Sequence, residues 1–489
     1  MLISTVIFAV PFQLGYQHRS PQCNPKSLIQ IITDGTGPAS YTMARDYIKS
    51  FGKKEELFSD QFVVGMVKTH SYNSLVTDSA AGATALASMT KTNNGYIGVD
   101  HNGTPVPTIL EAAKLKGMTT GIVVTSTITH ATPAGFYAHV LDRGWEDVIA
   151  QQLITGTTAL NRTVDLIIGG GLEFFLPNSS SPIGRRTDGR NLLKEAKQHG
   201  WSTVVNNSKD FWSSNLKLPV LAPLTTGHMP FEIDRNSTQF VPSLKQMVEK
   251  ALPLLYKKGQ STCQGFFLMI EASRIDHAGH SNDAAAHVHD MLAYQDMLAY
   301  VHAFVNKNSN NILVVSTSDH ETGGFTLANG DHSPYRYYPT ILRGVVKSTE
   351  IASQELLQLD TTTLKAYIVK TFGLDITDAE NQMILEAYKT SKIQDSWYPL
   401  MRALSLLINT RAEIGATTHG HSAVDVPLIV FGNDDNTSIK GIMENTAMSR
   451  KLWTEYYKFD FEKLKDKLRH QNVHDPQGRI PAPEKRHCV

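Results

Sequence analysis

Short, almost entirely apolar runs that are each followed directly by polar residues constrain the fold of this chain more than any other feature. They occupy residues 28–32, 121–124, 164–168, 266–270, 312–315 and 426–431. Runs of this length that are rich in Val and Ile are typical of strands buried on both faces of a parallel sheet. The pattern therefore predicts a buried, largely parallel sheet as the centre of the molecule.

Helical patterns separate these runs, at residues 107–116, 242–256 and 283–304. Strands that alternate with helices imply a mostly parallel sheet covered on both sides. We therefore expect an α/β fold, a three-layer sandwich with a mostly parallel central sheet flanked by helices. Two further helical patterns, at 362–372 and 378–390, indicate an inserted segment of about residues 325–415 within one domain rather than an independent domain.

Polar residues at the predicted strand ends are the central observation for function. Four strand ends carry carboxylate, imidazole and hydroxyl groups: Asp34, then His130 with Thr132, then Glu271, then Asp319 with His320. Open α/β sheets bind ligands at the carboxyl ends of their strands. Carboxylate oxygen and imidazole nitrogen are common ligands of zinc, and carboxylate suits the harder Mg²⁺ ion. The sequence therefore predicts a metal site at this edge of the sheet.

Three local motifs sharpen this prediction, and each has a simpler alternative. The spacing of Asp276 and His280 suits two ligands of one metal, although the segment could be a solvated polar turn. The adjacent pair Asp319-His320 could likewise be a turn. Ser79 precedes an Ala-rich segment and could simply cap a helix. At a helix N-terminus, however, it would also face free N–H groups that favour a phosphoryl anion.

Taken together, these segments resemble the alkaline phosphatase family. The matching stretches, in chain order, read VTDSAAGATA, KTNNGYIG, THATPAGF, EASRIDHAGH, DHETGG and TTHGHSAVDVP. The resemblance covers roughly residues 28–431. The sequences TTHGHSAVDV and THATPAGF are most similar to those of fungal members, many of which reside in the vacuole. It implies hydrolysis of phosphate monoesters to an alcohol and inorganic phosphate at alkaline pH, and commonly a homodimer.

The resemblance also implies a role for each site residue. Two zinc ions and one magnesium ion per subunit are expected, with ligands Asp276, His280 and His421 for the first zinc, Asp34, Asp319 and His320 beside Ser79 for the second, and Asp34, Thr132 and Glu271 for magnesium. Ser79 would be the nucleophile that forms a phosphoserine, and Arg143 would bind the phosphate through its planar fork. When the family motif is aligned on Asp425, it selects His421 rather than His419 as the metal ligand. His419 would then lie behind the ligands or be exposed.

Two histidines depart from the pattern of some relatives. His130 stands where certain bacterial enzymes have an aspartate near magnesium, and imidazole is a poorer Mg²⁺ ligand than carboxylate. We therefore expect His130 to act indirectly, through water. His277 occupies a variable position and is expected to lie behind the ligands.

Charge and cysteine content restrict the partners and the compartment. Lys plus Arg and Asp plus Glu both number 46, with no basic stripe, which argues against a nucleic acid as a specific partner. Three cysteines permit one disulfide but do not identify it. The sequence contains six N-x-[ST] sequons, which favour a glycoprotein. Residues 1–27 resemble a signal or anchor segment, with possible membrane association. Both features favour the secretory pathway, the vacuolar lumen or the extracellular space. The catalytic domain is assigned to residues 28–470 and a polar tail to 471–489.

Two other readings of the site remain. A hydrolase of the same superfamily acting on sulfates would need a C/S-x-P-x-R motif, which we do not find, and a diesterase typically uses Thr as nucleophile and lacks the third metal site. A catalytically inactive metalloprotein would be expected to have lost at least one ligand, but the full predicted set is present.

Overall fold

The computed structural model describes residues 23–482, except 55, 239, 309–310, 331–333 and 433–437. Most of the predicted N-terminal segment, residues 1–27, and the last seven residues of the predicted tail lie outside the described residues, so the structure does not bear on them. The β-strands are β1 (Ser27–Ile32), β2 (Val63–Lys68), β3 (Thr119–Thr127), β4 (Leu166–Gly170), β5 (Thr203–Val204), β6 (Val220–Pro223), β7 (Phe266–Glu271), β8 (Ile312–Thr317), β9 (Glu321–Thr322), β10 (Phe325–Thr326), β11 (Gly415–Ala416), β12 (His421–Ser422), β13 (Val426–Gly432) and β14 (Gly441–Glu444).

Ten of these strands form one central sheet in the order β14-β2-β13-β8-β1-β7-β3-β4-β6-β5. Every neighbouring pair in it is parallel except the two pairs made by β13, which runs antiparallel to both β8 and β2. The predicted mostly parallel α/β sheet is confirmed. The six apolar runs correspond to β1, β3, β4, β7, β8 and β13, whereas the sequence patterns did not indicate the partly exposed strand β2 or its neighbour β14.

Helices cover both faces of the sheet. The α-helices are α1 (Pro38–Ser50), α2 (Ser79–Ser88), α3 (Ile109–Leu115), α4 (Ala131–Ala134), α5 (Glu146–Thr155), α6 (Leu192–Gln198), α7 (Ser208–Ser213), α8 (Glu232–Arg235), α9 (Leu244–Thr262), α10 (Arg274–His280), α11 (Ala284–Asn308), α12 (Thr349–Leu356), α13 (Leu364–Phe372), α14 (Asp378–Gln394), α15 (Tyr398–Ala412), α16 (Asn445–Arg450) and α17 (Phe461–Leu468). A π-helical turn, Lys451–Tyr457, joins the last two.

Alternate residues of each central strand enter different cores, because successive side chains of a strand point to opposite faces. In β1, Leu28 and Ile32 pack into one core together with α2 and α3, whereas Ile29 and Ile31 pack into the other with α9 and α11. This strand is buried along its whole length between β7 and β8. Burial on both faces explains why the strand is almost uniformly apolar.

The predicted insertion builds a third, smaller core. Helices α12 to α15 form it together with α1 and the start of α11, and Leu404, Met43 and Val288 belong to the same buried cluster. The segment therefore contacts the sheet-covering helices beside the predicted site. The domain boundaries assigned from the sequence, 28–470 with an insertion at about 325–415, stay a prediction.

A disulfide joins Cys23, just before β1, to Cys263 at the end of α9. The described part of the C-terminal segment packs on the body of the protein, where Arg479 pairs with Asp147 and the Ala482 N–H donates to Asp142. Among the residues that the structure describes, no helix combines the length and apolar composition needed to cross a lipid bilayer.

Candidate active site and metal centre

Ser79 is the first residue of α2 and is almost fully buried. The N-cap is Asp78, whose carboxylate accepts hydrogen bonds from the backbone N–H groups of Ala81 and Gly95, each at 2.9 Å. Because Asp78 caps the helix, the hydroxyl of Ser79 is free for another purpose, and its Oγ lies 3.1 Å from Nε2 of His320. The simple capping role considered for Ser79 therefore belongs to its neighbour.

Two glycines allow the segments of the site to approach closely. A Cβ added to Gly82 would lie 2.9 Å from Cβ of Asp319, and one added to Gly35 would lie 2.4 Å from Cα of Asp276. Gly35 also has a φ of +79°, a conformation that other residues adopt only with strain. Glycine at these two positions lets α2 and the end of β1 sit directly against the metal-ligand segments.

The first cluster consists of Asp276, His280 and His421. The two imidazole Nε2 atoms lie 3.1 Å apart, and the carboxylate of Asp276 lies 3.4 Å from His280 Nε2 and 3.6 Å from His421 Nε2. Both Nδ1 atoms donate to backbone carbonyls, of His419 and Thr77 respectively. Metal-ligating histidines are typically oriented by such Nδ1 hydrogen bonds, so the two Nε2 lone pairs converge on one point, as on a bound cation.

The second cluster consists of Asp34, Asp319 and His320. Nε2 of His320 lies 3.2 Å from Asp319 Oδ2 and 3.6 Å from Asp34 Oδ1. Thr322 donates its hydroxyl to Asp276 and can accept from Nδ1 of His320, which leaves Nε2 of this histidine directed at the two carboxylates and Ser79. The nucleophile candidate and this cluster therefore share one small volume.

The third cluster adjoins the second through Asp34. Thr132 donates its hydroxyl to Asp34 Oδ2 over 3.2 Å, and Glu271 accepts from Ser126. His130 also presents a ring nitrogen within 4.8 Å of carboxylate oxygens of Asp34 and Glu271. Its imidazole is thus close enough to these carboxylates to act on a common ligand, directly or through water.

Electrostatics shows that this group of carboxylates suits a cation. Burial raises the pKa of Glu271 to about 8, and repulsion from Asp319 adds to this shift. Burial likewise raises the pKa of Asp319 to about 7, and repulsion from Asp276 adds to it. Burial and the neighbouring carboxylates Asp319, Asp276 and Glu271 raise the pKa of Asp34 well above its ordinary value. One oxygen each of Asp34, Glu271 and Asp319 is buried with no hydrogen-bond partner. Buried carboxylates without such partners are costly unless paired or coordinated to metal, so the donor set fits metal ions.

Arg143 lies at the start of α2, next to Asp78. Its guanidinium pairs with Asp78 at 3.1 Å and reaches Nε2 of His130 at 3.3 Å, and its backbone N–H donates to the carbonyl of Gly95. The helix cap therefore also holds this arginine against the start of α2. The ten predicted site residues consequently lie together at one edge of the sheet.

The reversed direction of strand β13 brings the last predicted ligand, His421, to the site. Asp34, Thr132, Glu271 and Asp319 follow parallel strands, but His421 precedes β13. Since β13 runs antiparallel to β8, its beginning lies at the edge where the other strands end. The apolar run alone gave no indication of this reversal.

Two further histidines lie beside the centre. His277 accepts a hydrogen bond from Arg274 at Nδ1, and its ring centroid lies 4.3 Å from that of His228. His228 in turn accepts from the backbone N–H of Thr127. Sequence reasoning missed His228, which lies in a loop after β6 with no motif around it. The expected place of His277 behind the metal ligands stays a prediction.

His419 is tied to the first cluster rather than exposed freely. Its Nδ1 lies 2.9 Å from the carbonyl of His280, while its own carbonyl accepts from His280 Nδ1. This reciprocal pair fixes the loop before His421 against the end of α10.

A cavity of about 1040 Å³ opens onto this centre. Its lining includes Asp78, Arg143, His280, His421 and Arg402. The cleft therefore connects the predicted nucleophile region to solvent.

Comparison with known proteins agrees with this geometry. The family model described as "Alkaline phosphatase" matches residues 25–455. The repressible alkaline phosphatase of Saccharomyces cerevisiae is 38% identical over 484 residues, which cover 91% of this chain and 84% of that protein. The structure of Thermus thermophilus alkaline phosphatase superposes with a TM-score of 0.77 at 29% identity, covering 94% of this chain and 99% of that one.

A second similar structure bears on the metals. It is a histidine-to-aspartate mutant of the alkaline phosphatase of the Antarctic bacterium TAB5, described with Mg bound in the M3 site, with a TM-score of 0.59 at 28% identity, 90% coverage of this chain and 99% of that one. The family expected from the motifs is therefore confirmed, and with it the α/β fold and the metal-dependent chemistry. This chain belongs to the alkaline phosphatase family, whose members are hydrolases that cleave phosphate monoesters with the help of metal ions through a phosphoserine intermediate.

Proposed function

We propose that Ser79 is the nucleophile of this phosphomonoesterase and that Arg143 binds the transferred phosphoryl group. The observation that carries the proposal is the position of Ser79, whose free hydroxyl lies at the N-terminus of α2, 3.1 Å from His320 Nε2. Free N–H groups at a helix N-terminus and a neighbouring guanidinium both favour a phosphoryl anion. No other serine or threonine combines a helix start with two carboxylate–histidine clusters in the part of the chain that the structure describes.

The donor sets support two zinc ions and one magnesium ion as the cofactors. The mixed nitrogen and oxygen sets, Asp276 with His280 and His421, and Asp34 with Asp319 and His320, suit zinc. The oxygens of Asp34, Thr132 and Glu271 suit magnesium. When bound, such ions stabilise the charges that develop on the attacking and leaving oxygens of an in-line displacement.

The side chains of the protein carry out the remaining steps. Oγ of Ser79 attacks phosphorus as the bond to the alcohol oxygen breaks, which gives a phosphoserine and the free alcohol. Water then attacks the same phosphorus, the bond to Oγ breaks, and inorganic phosphate leaves with Ser79 restored. Through both displacements Arg143, held by Asp78, binds two nonbridging phosphoryl oxygens.

We also propose a homodimeric glycoprotein of the secretory pathway, in a vacuolar lumen or outside the cell. Disulfides such as Cys23–Cys263 persist in oxidising compartments. The asparagines of all five sequons within the described residues are exposed, as glycosylation requires: Asn102, Asn161, Asn178, Asn206 and Asn236. A sedimentation measurement and a glycosidase-induced mobility shift would test assembly and glycosylation respectively.

The decisive experiment is hydrolysis of p-nitrophenyl phosphate at about pH 9 by the wild type and by Ser79→Ala. We expect activity that a chelator removes and zinc with magnesium restores, and none in the variant. Ser88→Ala is the matched control, because Ser88 is buried at the other end of the same helix and its hydroxyl only donates to the carbonyl of Thr84. Full activity of Ser79→Ala, or cleavage of bis-p-nitrophenyl phosphate in place of the monoester, would contradict the proposal.

A further inference from the structure

The cleft is larger than the transferred group needs. Its volume of about 1040 Å³ lies at the upper end of the roughly 300 to 1,000 Å³ found for small-molecule sites. A phosphoryl group held by Arg143 and the start of α2 fills only part of it. The remaining lining, which includes Arg402, is available to the alcohol part of the substrate.

Arg402 belongs to the inserted helix α15, and this helix is fixed relative to the catalytic histidines. Residues 402, 405 and 409 share one helical face, because positions i, i+3 and i+7 lie above one another. Ser405 Oγ lies 2.9 Å from Thr349 Oγ1, and Asn409 donates to the carbonyl of Asn282, two residues after His280. The base of Arg402 is thus held at a defined place on the cavity wall.

The guanidinium of Arg402 has no carboxylate partner within ion-pair distance among the residues that the structure describes. Its carbon Cζ lies 4.7 Å from the ring centroid of Tyr398, a contact that restricts the side chain without neutralising it. Arg143, the other arginine of the cavity, pairs with Asp78. Arg402 therefore presents an uncompensated positive charge to the cleft.

Arg402 shares the lining of this cavity with the first metal cluster, of which His280 and His421 are part. The lining also includes His419, which is hydrogen-bonded to His280. Because Ser79 lies beside the second cluster, His280 and His421 of the first cluster belong to the leaving-group side of the proposed in-line displacement.

We infer that Arg402 binds a second phosphoryl group carried by the alcohol part of the substrate, so that the enzyme prefers small molecules phosphorylated at two positions. This inference rests on the proposed function. A guanidinium matches two phosphoryl oxygens bidentately, and a phosphate monoester dianion is the ligand that best uses an uncompensated arginine.

The test compares the monophosphate and the bisphosphate of 1,4-butanediol, which present the same kind of leaving oxygen. The measured quantity is the ratio of kcat/KM for the bisphosphate to that for the monophosphate, corrected for the two equivalent ends of the former. We expect a wild-type ratio well above one, which Arg402→Ala lowers about fivefold, the size expected for one exposed ion pair. The loss should lie in KM, because the contact exists before and during the reaction.

Two controls separate charge recognition from altered folding. Arg402→Lys keeps a cation and should retain part of the ratio, and added salt should lower the wild-type ratio toward that of Arg402→Ala. Arg343→Ala removes another arginine of the insertion, one that stacks on Phe51 outside the cleft, and should leave the ratio unchanged. Equal losses for both substrates in Arg402→Ala, or an unchanged ratio, would overturn the inference. Failure of the wild type to cleave either ester would instead overturn the proposed function, and the inference with it.

Discussion

Stripped of its metal ions, this enzyme should lose stability relative to its Glu271→Gln variant as the pH rises from about 5 to about 8. In the metal-free protein, burial raises the pKa of Glu271 to about 8 and of Asp319 to about 7, and that of Asp34 well above its usual value. At these three groups the folded state therefore binds protons more tightly than the unfolded state. Their contribution to stability is greatest when the carboxyls are protonated and is lost as the pH rises through the folded-state pKa values. Buried histidines such as His130 and His320, whose pKa values burial lowers, act in the opposite direction, so the carboxyl contribution is measured against a matched variant.

The size of the effect follows from the shifts. With an ordinary pKa of 4.5 when unfolded and about 8 when folded, Glu271 contributes about 4 kcal/mol at pH 5 and under about 1 kcal/mol at pH 8. Asp319 adds a smaller loss of the same sign. For a chain of this size, each kcal/mol corresponds to roughly 1 °C in Tm. Metal binding at pH 7 should also release more than about one proton, because the bound carboxylates are ionised.

The assay is thermal unfolding of chelator-stripped and metal-reloaded enzyme from about pH 5 to pH 8, with calorimetry in buffers of different ionisation enthalpy to count released protons. Glu271→Gln is the matched variant, since a neutral amide of the same shape removes this titrating group. In the stripped protein, the Tm of the wild type minus that of Glu271→Gln should fall across this range, whereas the metal-reloaded pair should show no such fall. A difference that stays level or rises with pH in the stripped pair would refute the argument.

Three further predictions concern single residues. Arg143→Lys keeps the charge but loses the planar fork, so kcat/KM for p-nitrophenyl phosphate should fall about tenfold or more. Cys263→Ser removes the disulfide to Cys23, which links residues 240 positions apart. The free energy of unfolding, measured by urea denaturation, should therefore drop by up to about 5 kcal/mol. A reductant should lower the stability of the wild type but have no added effect on this variant. Glu111→Gln removes the buried partner of His139, 2.9 Å away. Burial lowers the pKa of His139, but Glu111 more than offsets this effect, so the pKa lies above the ordinary value of 6.5. The substitution should therefore lower the free energy of unfolding by about 3 kcal/mol below about pH 6.5, where His139 is charged, and by less at higher pH. An equal cost at pH 6 and pH 9 would contradict this last assignment.

Local pattern predicted the central strands better than the peripheral ones. Strands such as β1 and β7 are buried on both faces, and burial imposes an apolar composition that is visible in sequence. Strand β2 is largely exposed, and β5 has only two residues, so neither leaves a clear run. The predicted helices were generally recovered within a few residues of their observed ends, because their apolar faces repeat at the helical period.

The site separates into predictable and unpredictable parts in the same way. The pair Asp319-His320 and the spacing of Asp276 and His280 are local, so the sequence displays them directly. His228 contacts His277 only through folding of a distant loop, and no local pattern marks it. The choice of Cys263 as the partner of Cys23 likewise depends on the end of α9 reaching the start of β1.

By itself, the sequence determined the fold class, the family and the set of chemically competent residues, because burial and ligand chemistry restrict which residue types can occupy each position. Only the tertiary structure decided how these residues meet. The antiparallel direction of β13 brings His421 to the edge where β1 and β8 deliver Asp34 and Asp319. The docking of α15 places Arg402 on the same cleft. Both depend on contacts between segments far apart in the chain, whose geometry is set by packing rather than by any local pattern of residues.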